Sequence, residues 1–211
     1  MKKAFTLAET LLVLMIIGVI AAMVIPSLMN NPRNRDNVSR LKKIAGELTT
    51  ATTLLQLEAG PVDGWDWTSE ADIVDLYKKK FKVMKECGMS DGCFPEDTKS
   101  LSGSDLNESS GYYKIVLADG TSLGIKACNG GCTPGNYGLD SSNELLGLFL
   151  VDVNGFRGPN KGGLDTFVFG LVKHKGVQAG GSYSSAGCDQ RSSNGLNCAA
   201  KVIREDNINY W

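Results

Sequence analysis

The sequence predicts an α+β fold: a long N-terminal transmembrane and amphipathic helix packed on an antiparallel sheet of about four strands. Three observations predict it. Nearly every residue from Phe5 to Met29 is apolar or small, and Glu9 is the only charge among them. Val38, Leu41, Ile44, Ala45, Leu48, Thr52 and Leu55 then recur at helical spacing on one stripe. Further on, strand-like runs alternate with turn-forming residues, beginning with two runs joined by Asp119-Gly120.

The first helix follows from length. At about 1.5 Å per residue, Phe5–Leu28 extends about 36 Å, enough for a hydrocarbon core about 30 Å thick. Lys2 and Lys3 in front of it favour a cytoplasmic N-terminus and an exported remainder. A cleaved secretory signal is one alternative, because Ala21-Ala22 imitates a cleavage site, but the apolar run continues through Met23-Val24-Ile25. A plain one-pass anchor is another, but it has no use for Glu9, which costs up to about 3 kcal/mol at mid-depth in lipid.

Pro26 lies inside the helical pattern and is expected to bend it. Asn30-Asn31-Pro32 reads as a loosened stretch, with Asp36 or Asn37 capping a second helical segment that Gly60-Pro61 ends. The organisation is therefore 1–4 leader, 5–29 membrane helix, 30–60 amphipathic continuation and 61–211 globular head. Trp65 and Trp67 read as cover for the core. Ser69 caps another helix, with Ile73, Leu76, Tyr77, Phe81 and Met84 on one face. Lys78-Lys79-Lys80 within it reads as a solvated face near Asp72 and Asp75. Cys87–Gly111 is polar, Ser-rich and without period, hence a loop. The strands are Tyr112–Ala118 and Thr121–Ala127, joined by the Asp-Gly hairpin signal, then Leu145–Val153 and Thr166–Val172. A Gly/Ser-rich tail follows, with a short helix or strand at Cys198–Ile203.

Composition narrows the function. The 211 residues carry a net charge of −1, and removal of Lys2 and Lys3 leaves 20 basic against 23 acidic side chains. No general attraction to nucleic acid follows from that balance. The single histidine, His174, lies between two lysines. There is no Gly-x-Ser-x-Gly, phosphate loop or recognisable carboxylate pair for catalysis, so no enzyme is expected.

Six cysteines fall in three close pairs, Cys87/Cys93, Cys128/Cys132 and Cys188/Cys198. On the exported side of a membrane an even count reads as disulfides. Fifteen pairings are possible, the local one being the simplest. Zinc is the rival, with Cys128 and Cys132 the best candidate ligands.

The loop from Asp152 to Asp165 concentrates oxygen donors among glycines. Asp152, Asn154, Asn160 and Asp165, with the Phe156 carbonyl, are candidate calcium ligands, since calcium takes six to eight oxygens from carboxylates, amides and backbone. The pattern is not an EF-hand. The alternative is a turn-rich connection in which Asp152 and Asn154 bond local N–H groups.

The run Lys2-Lys3-Ala4-Phe5-Thr6-Leu7-Ala8-Glu9-Thr10-Leu11-Leu12-Val13-Leu14 resembles the N-terminal signal of type IV pilins and type II secretion pseudopilins. Gly18 and Pro26 also match where that family tends to have Gly and Pro. The resemblance covers about the first thirty residues, and Ala4 stands where the family usually has Gly. It implies cleavage by a prepilin peptidase between Ala4 and Phe5, methylation of the Phe5 amine, and retention of the helix. It further implies that Glu9 assists assembly with other pilin or pseudopilin subunits on an inner-membrane platform, with the head on the periplasmic or extracellular side. Some pseudopilins hold calcium in a similarly placed loop. A membrane-tethered, calcium-dependent binding module that never polymerises is the reading from another class. Glu9 discriminates the two, because a tether does not need it.

Overall fold

The computed structural model describes residues 7–107, 109–184, 188 and 193–209, without the side chains of 24–31. Lys2, Lys3, Ala4, Phe5 and the leader lie outside the described residues, as does the Pro26 side chain. Helix α1 runs over Leu7–Ala59 and α2 over Glu70–Lys78; strands β1 Val83–Gly88, β2 Tyr113–Leu117, β3 Ser122–Ala127, β4 Leu145–Asp152, β5 Thr166–Val172 and β6 Gly176–Ala179 follow, and α3 Ala199–Glu205 closes the order. The six strands form one sheet in sequence order, every pair antiparallel.

Two expectations are corrected here. The membrane-spanning helix is not found: among the described residues no helix is long and apolar enough to cross a membrane. Arg33, Asn34, Arg35 and Asp36 then make the helix polar. The sheet has six strands rather than about four. The added ones are the edge strands β1 and β6. Met84 belongs to β1 and is exposed, so it does not extend the face of α2.

Helix α1 is also continuous through the expected loosening at Asn30-Asn31-Pro32. Asp36 and Asn37 are therefore interior helix residues, not caps. Asp36 pairs with Arg40 one turn on, at 2.8 Å. The helix ends at Gly60, whose φ of 82° suits glycine.

The stripe Val38, Leu41, Ile44, Leu48, Thr52 and Leu55 is buried against the sheet, with Ala45 at its margin. Tyr77 of α2 reaches the same core: its hydroxyl meets Thr52 Oγ1 at 2.6 Å, and its ring stands edge-on to Phe149 of β4 at 5.2 Å. Trp65 and Trp67 cover that core and donate their indole N–H groups to the carbonyls of Gly60 and Val62. Gly147 makes room for Trp67, since a Cβ there would lie 2.5 Å from the indole.

A second, smaller core occupies the opposite sheet face, built from Phe94, Tyr112, Val116, Leu148, Leu150, Val168 and Leu196 among others. β4 and β5 are thus buried on both faces, which is why their sequences read as continuous apolar runs. The Asp119-Gly120 turn connects β2 to β3 as expected, with Gly120 at φ 88°. Lys43 of α1 pins that turn by an ion pair with Asp119 at 2.5 Å.

Disulfides join Cys87–Cys93, Cys128–Cys132 and Cys188–Cys198. This is the local pairing, and it takes Cys128 and Cys132 out of the zinc reading, because neither thiolate is available.

Candidate functional site

β4 ends at Asp152 and β5 begins at Thr166; the two residues are opposite each other in register. The connecting loop therefore leaves and re-enters the sheet at one place. That brings Asp152 and Asp165 together, both fully buried. Asp165 accepts hydrogen bonds from the backbone N–H of Asn160 at 2.8 Å and of Lys161 at 2.6 Å. The Asn154 side-chain amide donates to it at 3.4 Å. Asp152 accepts from the Asn154 N–H at 3.2 Å and from the Thr166 hydroxyl at 3.3 Å.

These bonds do not compensate for burial. Loss of solvent pushes the Asp165 carboxyl up to about 6, although its backbone and side-chain donors pull the other way. Asp152 is raised well above the ordinary carboxylate range, first by burial and then by the charge of Asp165. Beside the two carboxyls, Asn154 Oδ1, Asn160 Oδ1 and Ser122 Oγ are buried with no hydrogen-bond partner among the described residues. An unmet buried oxygen is costly, and two in one loop with a third on the neighbouring strand ask for a common partner. The set is made of hard oxygens, which suits calcium rather than zinc. Among the described residues there is no group of three or more His, Cys, Asp or Glu side chains fit for a metal. Any ion here would rely on the amides and the hydroxyl as much as on the acids.

Four of the five loop residues singled out in the sequence, Asp152, Asn154, Asn160 and Asp165, are brought together. Phe156 was expected to contribute its backbone carbonyl; its side chain is exposed. Two contributors were missed. Ser122 lies opposite Asp152 on β3, a neighbour that only register reveals. Asn37 of α1 donates to the Leu164 carbonyl at 3.0 Å and accepts from the Asn154 amide at 3.4 Å, tying the loop to the helix. The sequence showed Asn37 only as a candidate cap.

The second candidate region is the start of α1. Leu7, Leu11, Leu12, Leu14, Met15 and Ile17 are among a contiguous set of large apolar side chains that are more than half exposed. Glu9 is the one charged residue of this stretch. The other residues expected to act here, Ala4 and Phe5, lie outside the described residues.

The remaining charged candidates are accounted for locally. Lys78 pairs with Asp75 at 2.9 Å and Glu86 at 3.0 Å, and Lys80 with Glu58 at 2.5 Å. His174 is exposed in the turn between β5 and β6. The chain matches no family model, no curated protein and no solved structure.

Proposed function

We propose that this protein is an exported structural subunit of a type IV pilus-like filament or type II secretion pseudopilus, joined to its neighbours through the first part of α1. The observation that carries this reading is the exposed apolar surface over Leu7–Met23, with Glu9 its one charge. An uninterrupted apolar surface of that extent calls for a cover, and copies of the same helix supply one. The three disulfides suit an oxidising compartment. Processing between Ala4 and Phe5 would leave a cationic amine near Glu9. Pairing between the amine of one subunit and the Glu9 of the next would set the stagger, since a misplaced copy buries two unpaired charges.

In the same reading Asp152, Asn154, Asn160 and Asp165 hold one calcium ion, with Ser122 beside them. The ion would neutralise the two buried acids and fix the loop on α1 through Asn37. Its role is structural.

Glu9→Leu tests the assembly. The variant is expected to be exported and folded like the wild type while its pelleted filament fraction falls at least tenfold. Equal pelleting by Glu9→Leu would show that the pairing does not set the stagger, and would shift the reading to a calcium-dependent binding module that does not polymerise. Intact-mass measurement of the same material should show loss of residues 1–4 and one added methyl group. A mature terminus after Ala21 or Ala22 would return the segment to an ordinary signal peptide.

A further inference from the structure

We propose that Asn129 is a site of covalent self-modification, at which the Gly130 backbone nitrogen converts the side-chain amide to aspartate or isoaspartate, independently of filament assembly. The chain holds three Asn-Gly pairs, Asn129-Gly130, Asn154-Gly155 and Asn194-Gly195. Glycine has no Cβ to shield its nitrogen, so all three pairs have the groups that the reaction needs. The fold leaves one of them open.

Gly155 is buried, and its N–H donates to the Asp152 carboxylate. The Asn154 amide donates to Asn37 and Asp165, both at 3.4 Å. Gly195 is buried as well. Its N–H donates to Ser193 Oγ at 2.9 Å, and Asn194 Oδ1 accepts from the Leu196 N–H at 3.0 Å. In both pairs the attacking nitrogen and the side-chain amide are engaged in hydrogen bonds.

Asn129 and Gly130 are exposed, and nothing lies within 4 Å of an added Cβ at Gly130. They are the central residues of a turn closed by the Gly131 N–H on the Cys128 carbonyl at 2.6 Å. Their φ values, 43° and 75°, are both left-handed, as a type I′ turn requires. The closing bond uses the outer residues of the turn, so the Gly130 N–H takes no part in it. The Cys128–Cys132 disulfide holds the turn, and the Cys128 N–H anchors it on the Leu146 carbonyl of β4 at 2.9 Å.

The chemistry balances without a cofactor. Hydroxide takes the Gly130 N–H proton, and the nitrogen bonds to Asn129 Cγ. The Cγ–Nδ2 bond breaks, and ammonia leaves with a proton from solvent. Water then opens the cyclic imide at either carbonyl, to aspartate or to isoaspartate. Water is consumed as ammonia is released, and nothing is oxidised or reduced. Either product puts a carboxylate on a loop that carries no charge between Cys128 and Cys132. Ammonia is lost to solvent, so the step is one-way and the modified fraction grows with the age of the molecule. The nitrogen attacks only when deprotonated, so the rate rises with pH.

Peptide mapping of the full-length protein during incubation in mildly alkaline buffer tests this. Asn129 should convert at least tenfold faster than Asn154 or Asn194, and faster than it does in mildly acidic buffer. Gly130→Ala should slow it severalfold. If Gly130→Ala does not fold, the wild type in denaturant carries the test: the lead of Asn129 should disappear there, because the fold no longer separates the pairs. No conversion of Asn129, equal native rates at the three pairs, an undiminished rate in folded Gly130→Ala, or a lead that persists in denaturant would overturn the proposal.

Discussion

Gly195→Ala is expected to destabilise the head by at least about 3 kcal/mol, lowering its melting temperature by roughly 6–12 °C for a chain of this size. Gly195 has φ 83°, where any other residue is strained by about 1–2 kcal/mol. The larger part is steric. A Cβ at Gly195 would lie 2.3 Å from the Gly162 carbonyl oxygen and 2.8 Å from the Gly163 nitrogen. Both are backbone atoms and cannot swing aside. The contact is reciprocal, since a Cβ at Gly162 would lie 2.0 Å from the Asn194 oxygen. Segment 193–195 also accepts hydrogen bonds from Leu101 and Ser102, both at 3.1 Å, while the Gly162 N–H donates to the Lys99 carbonyl at 2.8 Å and the Lys99 N–H to the Asn160 carbonyl at 2.9 Å. The C-terminal tail, the long loop after β1 and the Asp152–Asp165 loop thus form one backbone-to-backbone junction. Gly60→Ala supplies the comparison: its φ is 82°, but nothing lies within 4 Å of an added Cβ. It should therefore show the strain alone. Thermal melts of the two variants under oxidising conditions decide the matter. Equal losses would mean that the tail does not press on the loop.

That junction also shows where the sequence was readable and where it was not. Local order left local traces. The α1 stripe repeats at helical period because one face is buried, and the β2–β3 turn needs a residue tolerant of positive φ at Gly120. The disulfides close short loops, so proximity in sequence matched proximity in space. The edge strands left no such trace. β1 has one paired side and mostly exposed side chains, so Val83–Gly88 shows no alternation, and its Lys and Glu fit a helix equally well. β6 is half-buried throughout. The acids of the ion loop stood out by type, and their convergence follows from the β4–β5 register. Asn37 and Ser122 join them from elements 117 and 30 or so residues away, which no local pattern encodes. Lys114 was hidden for the opposite reason. A lysine inside an apolar strand looks like a solvent-facing position, and only the loop folded over it makes it buried.

The ion-free protein should become less stable as pH rises from about 4.5 to 7.5, and calcium should abolish that loss. The sign follows from the direction of the shifts. Asp165 has its carboxyl raised from 3.8 to about 6 in the folded state, and Asp152 is raised as well. The folded state therefore holds protons that the unfolded chain has already released. Stability is retained below the unfolded value and drains away as pH climbs through the folded one. For Asp165, a shift of about two units corresponds to roughly 3 kcal/mol withheld from the ion-free head at neutral pH. Calcium needs both acids deprotonated, so it competes with the protons and stabilises most where the ion-free form is weakest. At a hundredfold excess over its Kd it should add about 2.7 kcal/mol at pH 7.5, and much less at pH 4.5. Asp165→Asn separates this from a general charge effect. It removes one acid and keeps an oxygen for one of the two N–H groups, those of Asn160 and Lys161, which bond different carboxylate oxygens. The variant should be flatter with pH in chelator and should lose its response to calcium. Melting curves at the two pH values, in chelator and in calcium, give all four comparisons. A wild type whose melting temperature is indifferent to calcium at pH 7.5 would leave the loop as a network of turns. A wild type in chelator that gains stability with rising pH would show that the donors on Asp165 outweigh its burial.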